Sequence, residues 1–148
     1  MRTVNIGLIG AGTVGGGVLR ALRRNGALMA SRLGARLRVG RVAVQNLKKK
    51  RDFKVAKGVL TADWKSVVND PKIDLVVELI GGTTTAKDVV LAALRVGKPV
   101  VTANKALLAF HGEKLFAAAE KSGANLYYEA SVAGGVPIIK VIREALVG

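Results

Sequence analysis

The chain has 148 residues, half of them hydrophobic and 23% charged, which is a globular profile at the length of one ordinary domain able to enclose a core. It has no cysteine and a single histidine, His111, so disulfides and thiolate metal sites are excluded and an imidazole site has little to build on. The net charge of +14 is concentrated: residues 1–58 carry 14 Lys and Arg against one acid, Asp52, while residues 59–148 carry 10 against nine. A local positive field of this kind attracts phosphates on a small anion, a nucleotide or a nucleic acid; the plainer alternative is a solvated basic face whose partner is acidic. No stretch approaches the roughly 20 consecutive apolar residues of a membrane span. In the opening MRTVNIGLIGAG the glycines are too dense for a signal peptide and no cleavage site follows. A soluble protein of the cytoplasm, with no membrane partner, is the expectation.

In chain order, TVNIGLIGAG reads as a strand and a turn, and TVGGGVLRALRRNGALMASRLG as a helix with apolar residues at helical spacing and arginines on the other side. ARLRVGRVAVQN alternates and then becomes continuously apolar, as a strand entering a core does. TADWKSVVNDP offers Thr61 or Asp63 as a helix cap and Pro71 as a stop, and IDLVVELIGG is a strand ending in glycines. TTAKDVVLAALRVGKP is a helix closed by Gly97, VVTAN a strand, HGEKLFAAAEKSG a helix and NLYYEAS a further strand. VPIIKVIREALVG places a proline at the start of a last helix. Strands alternating with helices predict an α/β fold: a Rossmann-like, doubly wound parallel sheet with right-handed crossovers and helices on both faces. No internal repeat, low-complexity linker or composition shift marks a second domain, so residues 1–148 are expected to form one folded unit.

The first strand leads into Gly10-Ala11-Gly12-Thr13-Val14-Gly15. In a strand-to-helix turn the first glycine permits the tight turn, the second lets a pyrophosphate reach the backbone, and the third lets the helix pack on the strand. The helix N-terminus then offers unpaired amides to the phosphates. Such a pattern alone is equally a packing turn; its position after a strand and before a helix favours dinucleotide binding, and the missing Gly-Lys-Ser/Thr ending excludes a Walker loop. At the end of the next strand, where an NAD-specific site places a carboxylate on the ribose, stand Gln45 and Asn46, followed by Lys48, Lys49, Lys50 and Arg51. Neutral amides followed by cations favour NADP(H) over NAD(H), with NAD(H) also admissible; as an exposed loop, the run would put at most one of its four cations, Lys48 among them, on phosphate.

The glycine turn, VVELIGGTTTA, VVTANKALLA and YYEASVAGGVPII, in this order and at these intervals, resemble the nucleotide-binding half of homoserine dehydrogenase over nearly the whole chain. The last three stretches are far more specific than the glycines. The resemblance implies NAD(P)-dependent interconversion of L-homoserine and L-aspartate 4-semialdehyde, on the route to threonine, methionine and isoleucine. It implies a homodimer in the full-length protein and a monofunctional type, since the first Rossmann strand begins at Met1 with no aspartate kinase before it. It also implies cofactor contacts from Gly81, Gly82 and Thr83 and from Thr102, Asn104 and Lys105. In an open parallel sheet ligands bind beyond the carboxyl ends of the strands, so Lys105 would polarise the semialdehyde carbonyl or stabilise the alkoxide as hydride arrives. Without the resemblance it reads as a surface lysine at a helix start.

In EASVAGGVP, strand-end carbonyls and a carboxylate are hard oxygen ligands. The resemblance implies a structural monovalent cation, commonly sodium, at Glu129, Val132, Gly134 and Val136, three of them through the backbone; a glycine-rich hinge is compatible with this. Glu78, in an apolar strand, is either near the site or paired in the core. Homoserine dehydrogenases continue into a substrate and dimerisation domain, and Gly148 stands about where the family crosses into it. The chain alone is therefore expected to bind cofactor and turn over little or nothing. Two alternatives stand beside this reading. Another Rossmann oxidoreductase, of an amino-acid semialdehyde or a sugar, would lack the pairing of TANKALLA with EASVAGGVP. A nucleic-acid-binding domain would use the basic half, but six aromatic residues and no reader motif argue for no nucleic-acid partner.

Overall fold

The computed structural model describes residues 1–51 and 53–145, so Asp52 and the last three residues of the expected final helix lie outside the description. The chain divides into two compact units, Met1–Ile80 and Gly81–Gly148. In the first, β1 (Arg2–Ile9), α1 (Thr13–Leu33), β2 (Ala35–Ala43), β3 (Leu60–Thr61), α2 (Trp64–Val68) and β4 (Leu75–Glu78) follow in order. Its four strands run in the order β3-β2-β1-β4, every pair parallel. Central β1 is flanked on both sides, and Ile6, Leu8 and Ile9 in its second half are buried. A side chain at Gly7 would come within 2.7 Å of Val67 Cγ1; its absence lets α2 sit against the strand. Val67 and Val68 are fully buried there, each contributing about 1.5–3 kcal/mol of apolar transfer.

The second unit holds α3 (Thr84–Arg95), β5 (Val100–Thr102), α4 (Lys105–Ser122), β6 (Leu126–Tyr127), a 3₁₀ turn (Glu129–Ser131) and α5 (Ile138–Ala145). β5 and β6 are again parallel. Helix α3 buries Ala86, Val89, Val90, Ala93 and Leu94, the i, i+3, i+4, i+7, i+8 stripe of a helix with one face in the core. It closes when Gly97 N donates to Leu94 O at 2.9 Å and Lys98 N to Ala93 O at 3.0 Å, a C-terminal motif that glycine favours. Phe116 on α4 meets Tyr128 edge to face, with ring centroids 5.2 Å apart.

Within each unit the strands pair in parallel and are interleaved with helices, which meets the α/β, Rossmann-like expectation. The differences are local. Helix α4 begins at Lys105 rather than at His111, because Asn104 caps it. β6 is two residues long, and Glu129–Ser131 turns as 3₁₀ instead of continuing the strand. Of the two candidate caps for α2, Asp63 takes the role by accepting Lys65 N at 2.9 Å, while Thr61 belongs to β3. Among the described residues no helix is long and apolar enough to cross a membrane.

Candidate functional site

The turn after β1 is built by contacts that exclude side chains. Gly10 has φ +95°, and a Cβ there would lie 2.6 Å from Leu79 O; a Cβ on Gly15 would lie 2.1 Å from Gly10 O. The first and third glycines are thus obliged by backbone on backbone. Gly10 N donates to Ala43 O and Leu79 N to Ile9 O, which fixes the turn between the ends of β2 and β4. Gly12 is different: nothing lies within 4 Å of its notional Cβ, so its backbone is open to an approaching group. It is also the N-cap of α1, with no side-chain cap and no acidic residue in the first turn. Amides of that turn, at Thr13, Val14 and Gly15, are the donors a helix start offers to an anion. Ala11 is buried behind them. An open glycine backbone at an uncapped helix start is the arrangement that suits an anion such as a phosphate.

Just past β2, Gln45, Asn46 and Lys48 are exposed, as are Lys49 and Lys50. Asn46 Oδ1 accepts Lys48 N at 2.9 Å, an Asx turn. Arg51 folds back on the loop, donating to Lys49 O and Asn46 O. Its guanidinium therefore organises the loop, and the three lysines carry the outward charge. The roles of the four cations, equivalent in the sequence, are separated by this geometry.

In the second unit, Asn104 is the centre of the constellation. Its Oδ1 accepts Leu107 N at 3.0 Å, its Nδ2 donates to Gly82 O at 2.6 Å, and its own N donates to Thr102 Oγ1 at 3.1 Å. One residue thus joins the end of β5, through its backbone, to the start of α4 and the glycines before α3, through its side chain. Thr102 is fully buried, Gly81, Gly82 and Lys105 are exposed, and Thr83 precedes α3 as its N-cap. Ser131 Oγ donates to Thr102 O at 2.9 Å, a tie that nothing in the sequence pattern signalled beyond a polar residue near a strand end. Asn104→Ala is expected to cost about 1–2 kcal/mol by loss of the cap and the tether, read as a lowered urea midpoint. Asn104→Asp, which keeps the cap and loses the donation to Gly82, should fall between; an unchanged midpoint in Asn104→Ala would remove this role.

Glu78 is fully buried at the end of β4, opposite Ile9, and its Oε1 accepts Ile80 N at 2.8 Å. It holds its own strand end in shape, which favours the core role over direct ligand contact. Glu129 is likewise committed: Oε1 accepts Ile139 N at 2.9 Å and Oε2 accepts Lys140 N at 3.0 Å, capping α5. Val132, Gly134 and Val136 lie on the loop between, where Ala133 (φ 53°) and Gly134 (φ 60°) are consecutively left-handed. Among the described residues there is no cluster of three or more His, Cys, Asp or Glu suited to a metal, so a cation on this loop would depend on main-chain carbonyls. His111 is half-buried within α4.

Residues 10–129 match the family described as homoserine dehydrogenase, NAD binding domain. Over 146 residues, 99% of the chain, it is 47% identical to a homoserine dehydrogenase of Pseudomonas aeruginosa and 41% identical to one of Bacillus subtilis, covering 33% and 34% of those proteins. A solved homoserine dehydrogenase from Thiobacillus denitrificans superposes with a TM-score of 0.89 at 50% identity, over 98% of this chain and 33% of that one. The chain thus spans about a third of the length of the relatives it matches.

Proposed function

Since the chain belongs to the homoserine dehydrogenase NAD-binding domain family, we propose that it is the nucleotide-binding part of an enzyme interconverting L-homoserine and L-aspartate 4-semialdehyde. That places it in threonine, methionine and isoleucine biosynthesis. The observation that carries the reading is the glycine turn, with Gly10 and Gly15 closed by backbone and Gly12 left open at an uncapped helix start.

Residues 1–148 act as the cofactor domain, preceding a substrate and dimerisation domain in a cytoplasmic homodimer. The amides of Gly12–Gly15 bind pyrophosphate, with Ala11 packing beneath them. Gln45 and Asn46 accept the ribose side without repelling a 2′-phosphate, and Lys48 with its two neighbours attracts that phosphate, so NADP(H) is preferred and NAD(H) is the weaker alternative. Gly81, Gly82 and Thr83 present backbone to the nicotinamide half, while Thr102 and Asn104 hold the strand end from which Lys105 starts α4. The bound cofactor supplies or receives the hydride. Lys105 stabilises the charge that develops on the substrate oxygen. A sodium ion on the carbonyls of Val132, Gly134 and Val136, near Glu129, stiffens the loop after β6.

Calorimetric titration with NADPH and NADH tests the cofactor reading. NADPH should bind at least tenfold more tightly, and the difference should collapse when Lys48, Lys49 and Lys50 are replaced by alanine with Arg51 kept; a charge-assisted hydrogen bond contributes about 1.5–3 kcal/mol, and about 1.4 kcal/mol is a factor of ten. Equal affinities would refute the phosphate clamp and leave the glycine turn standing. If neither cofactor binds the chain or an enzyme containing it, the functional reading fails.

A further inference from the structure

Strand β2 contains a one-residue irregularity with a chemical consequence. Asn5 pairs with Arg38 and Ile6 with Val39, but Gly7 pairs with Arg41, so Gly40 is the extra residue of a bulge. In an unbroken strand, residues three apart face opposite sides. Here Arg38 and Arg41 are registered to Asn5 and Gly7, which face the same side, and the bulge brings both guanidinium groups to one face. A bulge that re-aims a side chain in this way is a recurrent device at binding sites.

A cavity of about 220 Å³ opens there, its walls including Asn5, Arg38, Arg41, Asp70 and Lys72. Arg38 Nε donates to Asn5 Oδ1 at 2.8 Å and Arg41 Nη2 to Ser66 Oγ at 3.2 Å. Each guanidinium is thereby oriented with donors to spare. Arg41 Nε is buried and has no hydrogen-bond partner, an unmet donor of the kind that interiors ordinarily satisfy. Asp70 shares the wall, but its Oδ1 accepts Lys72 N at 2.9 Å. Three cations thus line a small volume against one acid of its wall, with a second carboxylate, Asp74, held by Asn5 N at 2.6 Å.

We propose that this cavity is a subsite for a phosphate-class dianion, either inorganic phosphate or the phosphate of a phosphomonoester. Two oriented guanidinium groups match a tetrahedral oxyanion, and the volume suits a single phosphate rather than a nucleotide. The subsite is separate from the glycine turn: Asn5 precedes Gly10 by five residues, roughly 17 Å along a strand at about 3.3 Å per residue.

Calorimetric titration with inorganic phosphate, with ionic strength held constant by NaCl, tests the proposal. One phosphate per chain is expected, with affinity lowered at least fivefold in Arg38→Gln and in Arg41→Gln. Replacing Lys48, Lys49 and Lys50 by alanine, or saturating with NADPH, should leave the affinity unchanged. Arg38 is exposed, so Arg38→Gln keeps the test valid should Arg41→Gln fail to fold. Glucose 6-phosphate in a parallel titration separates the sources: tighter binding identifies a phosphomonoester, weaker or equal binding the free ion, and both uphold the subsite. No binding, several ions per chain, displacement by NADPH, or full affinity in both glutamine variants would overturn it.

Discussion

Gly15→Ala is expected to destabilise the chain by about 2–4 kcal/mol, at the upper end of what overpacking costs, and to weaken NADPH binding at least tenfold. The added Cβ would meet Gly10 O at 2.1 Å and Gly10 C at 3.0 Å, and Gly10 is held in place by the hydrogen bond from its N to Ala43 O at 2.9 Å. Both obstacles are main chain, so no rotamer change relieves them; α1 must slide or the turn must open. Against a typical stability of about 5–15 kcal/mol, that loss shifts a urea midpoint far outside error. Gly12→Ala is the matched control. Its φ of −80° suits an L-residue and its Cβ would meet nothing, so the midpoint should move by no more than about 1 kcal/mol, the scale of an N-cap change, while cofactor affinity falls as the methyl enters the open space. If the two variants unfold alike, the distinction between a packing glycine and a ligand-facing glycine is wrong.

Lys105→Ala is expected to lower kcat by about 10²–10⁴, the range associated with losing a charge-stabilising or proton-transferring group. The assay is homoserine oxidation by a protein in which these residues are joined to a substrate-binding half. Cofactor Kd should change less than about threefold, because in the proposed role the ammonium acts on the substrate oxygen and not on the phosphates. The backbone argues that the variant will fold: Lys105 is exposed, and the cap that starts α4 belongs to Asn104. Lys105→Arg keeps the charge but not the compact ammonium and should recover only part of the rate. A kcat within threefold of the parent would make Lys105 the surface residue that its exposure alone suggests.

How much of this was legible in the sequence depends on whether a feature is written in local chemistry or in pairing. The helix α3 stripe is periodic, and the two closed glycines stand in a strand-turn-helix context, so both are readable from the chain. β3 is two residues long, too short for any periodicity, and exists because Val42 and Ala43 offer it a partner edge. Helix α4 starts six residues early because a single asparagine both caps it and grips Gly82; an Asn before Lys-Ala-Leu-Leu was the available signal, masked by the apolar run it interrupts. The four cations after β2 look alike in sequence and differ only once Arg51 has found carbonyls to hold. Gly40 within a strand pattern hinted at a bulge, but which arginines it would align follows only from the register.

The two oxygens of Glu129 bear on what a cation would do here. Both accept amides of α5, and each keeps a second lone pair, so a sodium ion that drew on this carboxylate would share it with the helix. Ion and helix would then be coupled, each changing the hold of the other by the same factor, as thermodynamic reciprocity demands. An ion seated on main-chain carbonyls alone lacks that coupling, and the helical signal of α5 would stay level as sodium replaced a larger, poorly fitting cation. The last helix of the chain is in this sense an internal gauge of how its loop holds a metal.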